Sequence, residues 1–306
     1  MAATGPPRRG PFMNRAANSQ PRSGAFHPRA THGRLSAMKA PTFAALCAFT
    51  VAACAAGPSA LANQTNAVEA PPSATPTAAA GKPITLKSET PLLSWEVSWP
   101  AEVNAIPALE KLIRGPAEKD LAELSASAEQ DKAERAKNGF DFNSYDYSVS
   151  VEVAGQTPRL LSLASEWMNY TGGAHPNHGT KTLLWDRAEG KELVFADLLA
   201  GGAADLSPLF ARTYCRALNE QRREKRGPED SAAGPDDPFS KCPGFDELAI
   251  IPKGETGQPL TTILIHADPY VAGPYVEGDY DVEIPVNERL LAALKPQYRP
   301  SFADPR

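Results

Sequence analysis

Five side chains in this sequence carry site chemistry at spacings that can be weighed: Glu166, His175 and His178 around a Gly-rich link, and His266 with Asp268 on a later strand-like run. Imidazoles and carboxylates at a loop mouth can hold a divalent cation or exchange protons with a substrate. The spacing argues against both. His175 and His178 form H-x-x-H beside Gly172, Gly173 and Pro176, which preclude the helix that would place both rings on one face, as H-E-x-x-H does. The plain reading makes His175 a turn residue bonded to backbone, His178 a solvated ring and His266 a half-buried strand residue. No G-x-S-x-G elbow, P-loop, G-x-G-x-x-G or C-x-x-C occurs. No metal, cofactor or catalytic residue is therefore expected, and the alternative is a hydrolase or deacetylase using His175 and nearby carboxylates.

A second set suits recognition better. Tyr170, Gly172, Gly173 and His175 fall in one loop, and Tyr270 and Tyr275 fall in another rich in Gly and Pro. Tyrosines beside glycine-rich loops are good contact material. The same residues also have an architectural reading, in which Gly172, Gly173, Gly273 and Gly278 permit positive φ or close backbone approach and the tyrosine rings cover the core. The two loops make one site only if the fold brings 170–178 and 268–278 onto one cleft.

The elements that must position these residues follow from periodicity. Leu93, Trp95, Val97 and Trp99 alternate with polar residues and predict a strand ended by Pro100. Leu109, Leu112 and Ile113, then Ala117, Leu121, Leu124 and Ala128 beyond Gly115-Pro116, predict a broken amphipathic helix stopped by Asn138-Gly139. Tyr145 to Val153 alternates cleanly, predicting one buried and one wet face. Strands are expected at 159–170 and 180–187 around the link 171–179. A turn at 188–191 follows, then a short helix capped by Asp197 and a helix over about 205–225. Strands at 247–251, 261–267 and 280–284 and a helix at 286–294 close the chain. Runs of strands with isolated helices predict an α+β fold, mostly antiparallel sheet with a few packed helices.

The chain start reads as an export segment. From Met38, Lys39 and the apolar run Thr42 to Ala53 resemble a signal peptide too short to span a bilayer. Val51-Ala52-Ala53-Cys54 resembles a lipobox with Cys54 as the lipidated residue, and Ala60-Leu61-Ala62 is a competing cleavage site. The organisation expected is a leader over 1–37, a signal over 38–54, an Ala/Pro-rich tether over 55–83, subdomains over 84–178 and 179–294, and a tail over 295–306. Eleven of the 30 prolines precede residue 84. The location expected is the periplasm or cell envelope, with the membrane touched only through a lipid anchor. Cys215 and Cys242, the cysteines left after the signal, are most simply a disulfide in an oxidising compartment.

Charge narrows the partners. Residues 1–54 hold seven basic and no acidic side chains, so the other 252 carry 24 basic and 36 acidic groups, a net charge of −12. Such a domain repels nucleic acid and steers towards basic or neutral partners.

Two stretches in order, Tyr170-Thr171-Gly172-Gly173-Ala174-His175-Pro176-Asn177 and Asp268-Pro269-Tyr270-Val271-Ala272-Gly273-Pro274-Tyr275-Val276-Glu277-Gly278, carry a resemblance. Between them, Glu189 to Leu199 fits the same order. The chain over most of 84–294 resembles the RsiV-type extracytoplasmic domain family, seen also in the accessory region of PdaC-type peptidoglycan deacetylases. The resemblance implies a PdaC-like and an RsiV-like subdomain. In the RsiV-like member the domain binds lysozyme; in the PdaC-like member catalysis belongs to a separate domain. No such catalytic domain and no sigma-binding segment is evident in this sequence. The expectation is thus a monomeric, non-enzymatic envelope binding protein for a basic protein such as lysozyme, or for cell-wall glycan.

Overall fold

The computed structural model describes residues 81–230 and 237–305. The leader, the signal with Cys54, and the tether as far as residue 80 lie outside the described residues.

Alternating side chains build the first sheet. In β2 (Leu93–Trp99), Leu93, Trp95, Val97 and Trp99 are all buried. On one side β2 pairs antiparallel with β1 (Ile84–Glu89), and on the other it runs parallel to β3 (Tyr145–Gln156). A parallel pair needs a crossover, supplied by α1 (Ala101–Asn104) and α2 (Pro107–Asn138). Antiparallel β4 (Leu160–Tyr170), β5 (Asn177–Asp186) and β6 (Lys191–Leu193) complete six strands in sequence order. Leu109, Ala117 and Ala128 of α2 bury against Leu93, Trp95, Val97 and Trp99, forming the first core.

The second half folds around its own core. A three-stranded antiparallel sheet, β7 (Ala249–Lys253), β8 (Thr262–Ala267) and β9 (Tyr280–Pro285), packs one face on α3 (Leu206–Asp230) and α4 (Glu288–Ala293). Phe210, Tyr214 and Leu218 of α3 meet Ile263, Ile265, Val282 and Ile284 there. The expected α+β class with mostly antiparallel sheet is what the chain adopts. The Cys215–Cys242 disulfide forms, with Cα atoms 5.6 Å apart. No helix among the described residues is long and apolar enough to cross a membrane.

Four expectations about individual elements change. α2 is continuous through Pro116: a proline costs the helix one bond to the carbonyl four residues back, here Leu112, which lies on an exposed turn. Gly139, at φ 73°, then ends the helix in the left-handed cap that glycine adopts freely. The outer face of β3 is only partly wet, because Ser148 and Ser150 line a cleft facing the second sheet. The link is shorter than 171–179, since β5 already begins at Asn177. Asp197 sits inside its 3-10 turn rather than before it, and its Oδ2 accepts from the Val194 N–H at 2.9 Å. The expected subdomain boundary at 178/179 falls within β5.

Candidate functional site

The two loops singled out by composition meet. The His175 ring stacks on Tyr275 with centroids 3.7 Å apart and an interplanar angle of 19°. The Tyr270 hydroxyl lies 3.2 Å from His175 Nε2, and the Tyr270 and Tyr275 ring centroids are 5.7 Å apart. His175 Nδ1 is 2.9 Å from the Pro176 carbonyl oxygen. His178 meets the edge of Tyr275 at 5.8 Å. This aromatic face is open to solvent: Tyr270 is 54% and Val276 90% exposed. Tyr270 is the one non-glycine residue with positive φ among the described residues, at 69°. A bulky side chain there costs roughly 1–2 kcal/mol of backbone strain.

The back of the second loop is clamped. Arg226 of α3 grips Glu277 through two hydrogen bonds of 2.8 and 3.1 Å, and reaches Asp237 at 3.1 Å. The Tyr280 hydroxyl also donates to Glu277. Lys225 donates to the backbone carbonyls of Glu277 and Asp279. These contacts fix the aromatic face from behind, and a surface fixed in this way has a low ordering cost in any association.

Below it lies a polar cluster. His266 and Asp281 are directly opposite in the β8–β9 register, and Asp268 follows His266 by the two-residue step that returns to the same face. His266 Nδ1 is 2.6 Å from Asp281 Oδ1, and Nε2 is 2.9 Å from Asp268 Oδ1. Carboxylates only accept, so both ring nitrogens carry protons. Burial alone lowers the His266 pKa, but the hydrogen bonds and charges of Asp268 and Asp281 outweigh it and raise the pKa to about 10. The hydrogen bond from His266 in turn holds the Asp281 carboxyl below its usual range. Asp268 Oδ1 also accepts from the Thr180 N–H at 2.8 Å. Gly179 makes that approach feasible, since a Cβ there would stand 2.5 Å from Asp268 Oδ2 and 3.0 Å from the Trp167 ring. His178 Nε2 lies 3.3 Å from Asp279 Oδ1. A cavity of about 420 Å³ between the two sheets reaches Glu166, Trp167, His178, His266, Asp279 and Asp281.

His175, Tyr270 and Tyr275 thus converge, while Glu166, His178 and His266 border the adjoining cleft and Asp268 is bonded to His266 at its edge. Tyr170 ends β4 opposite Asp146 and joins none of these ring contacts. Gly172 takes φ 88° beside Arg135 of α2, Gly278 takes φ 65°, and a Cβ on Gly273 would meet Tyr280 at 2.9 Å; Gly173 has neither constraint. His266 is buried rather than half-buried, because two carboxylates satisfy its ring. Sequence reasoning missed Trp167, Gly179, Asp279 and Asp281. Only the strand alternation of Asp281 with Tyr280 and Val282 signals that it faces away from the core.

Residues 86–178 match the family model described as Deacetylase PdaC. Two crystal structures of DUF3298 family proteins are similar to this chain. One, from Pseudomonas aeruginosa PAO1, is 16% identical with a TM-score of 0.41, covering 70% of this chain and 94% of its own. The other, from Bacteroides fragilis NCTC 9343, is 18% identical with a TM-score of 0.41, covering 71% and 94%. No curated protein matches the chain. The match runs from β1 to the start of β5 and includes the first of the two sequence stretches, Tyr170 to Asn177; the second, Asp268 to Gly278, lies outside it.

Proposed function

We propose that this protein is a non-enzymatic recognition module of the bacterial cell envelope, whose joined loops engage a basic protein of the lysozyme type. Anchoring through lipid on Cys54, with residues 55–83 as a tether, belongs to the same proposal. The observation that carries the reading is the solvent-facing His175–Tyr270–Tyr275 face, built from both loops and bearing a strained tyrosine. Backbone strain persists where the surroundings enforce it, and such outliers cluster at binding sites. Asp279, Asp281 and Glu166 beside the face supply charge for Arg or Lys side chains, and tyrosine rings accept those cations over their faces. Against the hydrolase reading, His175 has no carboxylate partner among the described residues: its nitrogens meet a backbone carbonyl and a phenol. Cell-wall glycan is a second reading, favoured by the cleft where Trp167 lies among carboxylates.

Calorimetric titration of the full chain with lysozyme, at low and moderate salt, tests the first reading. Binding that weakens with salt and is lost in Tyr270→Ala is expected. Absence of heat at tens of micromolar protein, alongside binding of soluble peptidoglycan fragments, would favour the glycan instead.

A further inference from the structure

The polar cluster beneath the aromatic face is incomplete as an ion-pair network. Three carboxylates, Asp268, Asp279 and Asp281, surround one imidazolium, His266, with His178 as a second imidazole. Lys225 is close, yet its ammonium goes to the Asp279 backbone carbonyl rather than to the carboxylate. Asp279 Oδ1 is buried and has no hydrogen-bond partner among the described residues; His178 Nε2, at 3.3 Å, is within ion-pair distance but outside hydrogen-bond geometry. An orphaned carboxylate oxygen is costly, and a bound ion is one of the few things that relieves it.

The surrounding geometry fits an ion. One donor atom each from His266, Asp268 and Asp279 lie within 4.8 Å of one another. Bonds of about 2.0–2.2 Å place tetrahedral donor atoms roughly 3.4 Å apart, so the set closes on a cation with small side-chain shifts. Asp281 sits on the other nitrogen of His266, the position from which a carboxylate orients a metal-bound imidazole. The cavity between the sheets opens onto His178, His266 and Asp279, giving an entry path. Gly179 leaves room for the Asp268 carboxylate.

We propose that His178, His266, Asp268 and Asp279 bind one divalent cation of the zinc class, which pins the loop 268–279 to β5 and β8. Two imidazoles with two carboxylates favour a borderline-soft ion, whereas Ca²⁺ and Mg²⁺ prefer all-oxygen shells. On binding, His266 Nε2 releases its proton to solvent and takes the ion, while Nδ1–H stays on Asp281. Spacing excluded a helical pair of His175 with His178; this ligand set pairs His178 with His266 instead, across two sheets. It shares Asp279 and Asp281 with the proposed recognition face, and a Zn²⁺ titration in the absence of any protein partner reads the ion site alone.

The test is calorimetric titration of the untagged full chain, stripped with chelator, with Zn²⁺, and with Mg²⁺ and Ca²⁺ as comparators. One Zn²⁺ per chain at micromolar or tighter affinity, with a raised melting temperature, is expected. Asp279→Asn and His178→Ala alter partly exposed side chains and leave the core intact, and each should weaken Zn²⁺ at least tenfold. Glu192→Gln, an exposed carboxylate of β6 outside both the ligand set and the aromatic face, should bind Zn²⁺ as the wild type does. Lack of saturable Zn²⁺ binding, binding that survives both ligand substitutions, or equal affinity for Mg²⁺ or Ca²⁺ would each overturn the proposal.

Discussion

Two acidic clusters in this fold are finished differently. Asp186, fully buried at the end of β5, has both oxygens occupied: Oδ2 accepts from Arg159 at 2.8 and 3.3 Å and from the Tyr298 hydroxyl at 3.1 Å. Its Oδ1 accepts from the Ala188 and Glu189 N–H groups at 2.9 and 3.1 Å. Arg159 also lies over the Tyr298 ring at 5.0 Å. The cluster around His266 holds more charge, opens to a cleft, and leaves Asp279 Oδ1 without a donor. A fully satisfied network only holds the structure together. One with unused capacity next to solvent is available to a ligand. Burial of a charged group therefore does not mark a site; leftover bonding capacity within reach of solvent does.

The closed cluster should be the costlier to break. Asp186→Ala strips Arg159 and Tyr298 of their shared acceptor and is expected to cost about 4 kcal/mol in urea unfolding. Burial pushes the Asp186 carboxyl up, but Arg159, the two backbone N–H groups and Tyr298 outweigh it and hold it below its usual range. Its folded pKa is depressed, so its contribution is present above the unfolded value and is lost as pH falls through the lower folded one. Unfolding midpoints taken below about pH 4 should therefore drop in the wild type and flatten in Asp186→Asn. An unchanged acid limb would show that Asp186 is not the group responsible.

Next comes the disulfide behind the open cluster. Cys215 and Cys242 are 27 residues apart, and removing the bond by Cys→Ser substitution is expected to cost roughly 3 kcal/mol in the chain-entropy view. Smaller still is Gly179→Ala, which forces Asp268 away from His266 and Thr180 and should cost about 2 kcal/mol by overpacking. Its diagnostic reading is thermal unfolding with and without Zn²⁺: the Zn²⁺-dependent rise should shrink along with stability. A variant as stable as wild type, with the full rise, would mean the cluster tolerates displacement of Asp268.

Much of this contrast is hidden from sequence. The alternation of Leu93 to Trp99 and the apolar face Phe210, Tyr214 and Leu218 are strong local signals, and β2 and α3 were legible from them. β1, with only Ile84 and Leu86 apolar, was not. Pro116 suggested a break because local propensity does not show that the helix on both sides is fixed by the same sheet. The two loops were legible as candidates, since glycine and tyrosine density is local information. Their convergence was not, because it depends on the second sheet covering β3. Asp281 joins His266 through strand register alone, and Asp279 reaches His178 across the cleft. Tyr270's positive φ carries no sequence signal, since tyrosine is a poor choice for it.

That last residue separates recognition from architecture. Under the proposed function the Tyr270 ring faces a partner, and its backbone strain is tolerated for that purpose. Tyr270→Gly removes the strain at a position whose side chain is mostly exposed, while glycine adds back roughly 0.5–1 kcal/mol of backbone entropy cost. Urea unfolding of Tyr270→Gly beside the wild type is the direct measurement. The account predicts a stability equal to the wild type or higher by up to about 1 kcal/mol. A loss beyond about 1 kcal/mol would make Tyr270 a packing residue and contradict the recognition face.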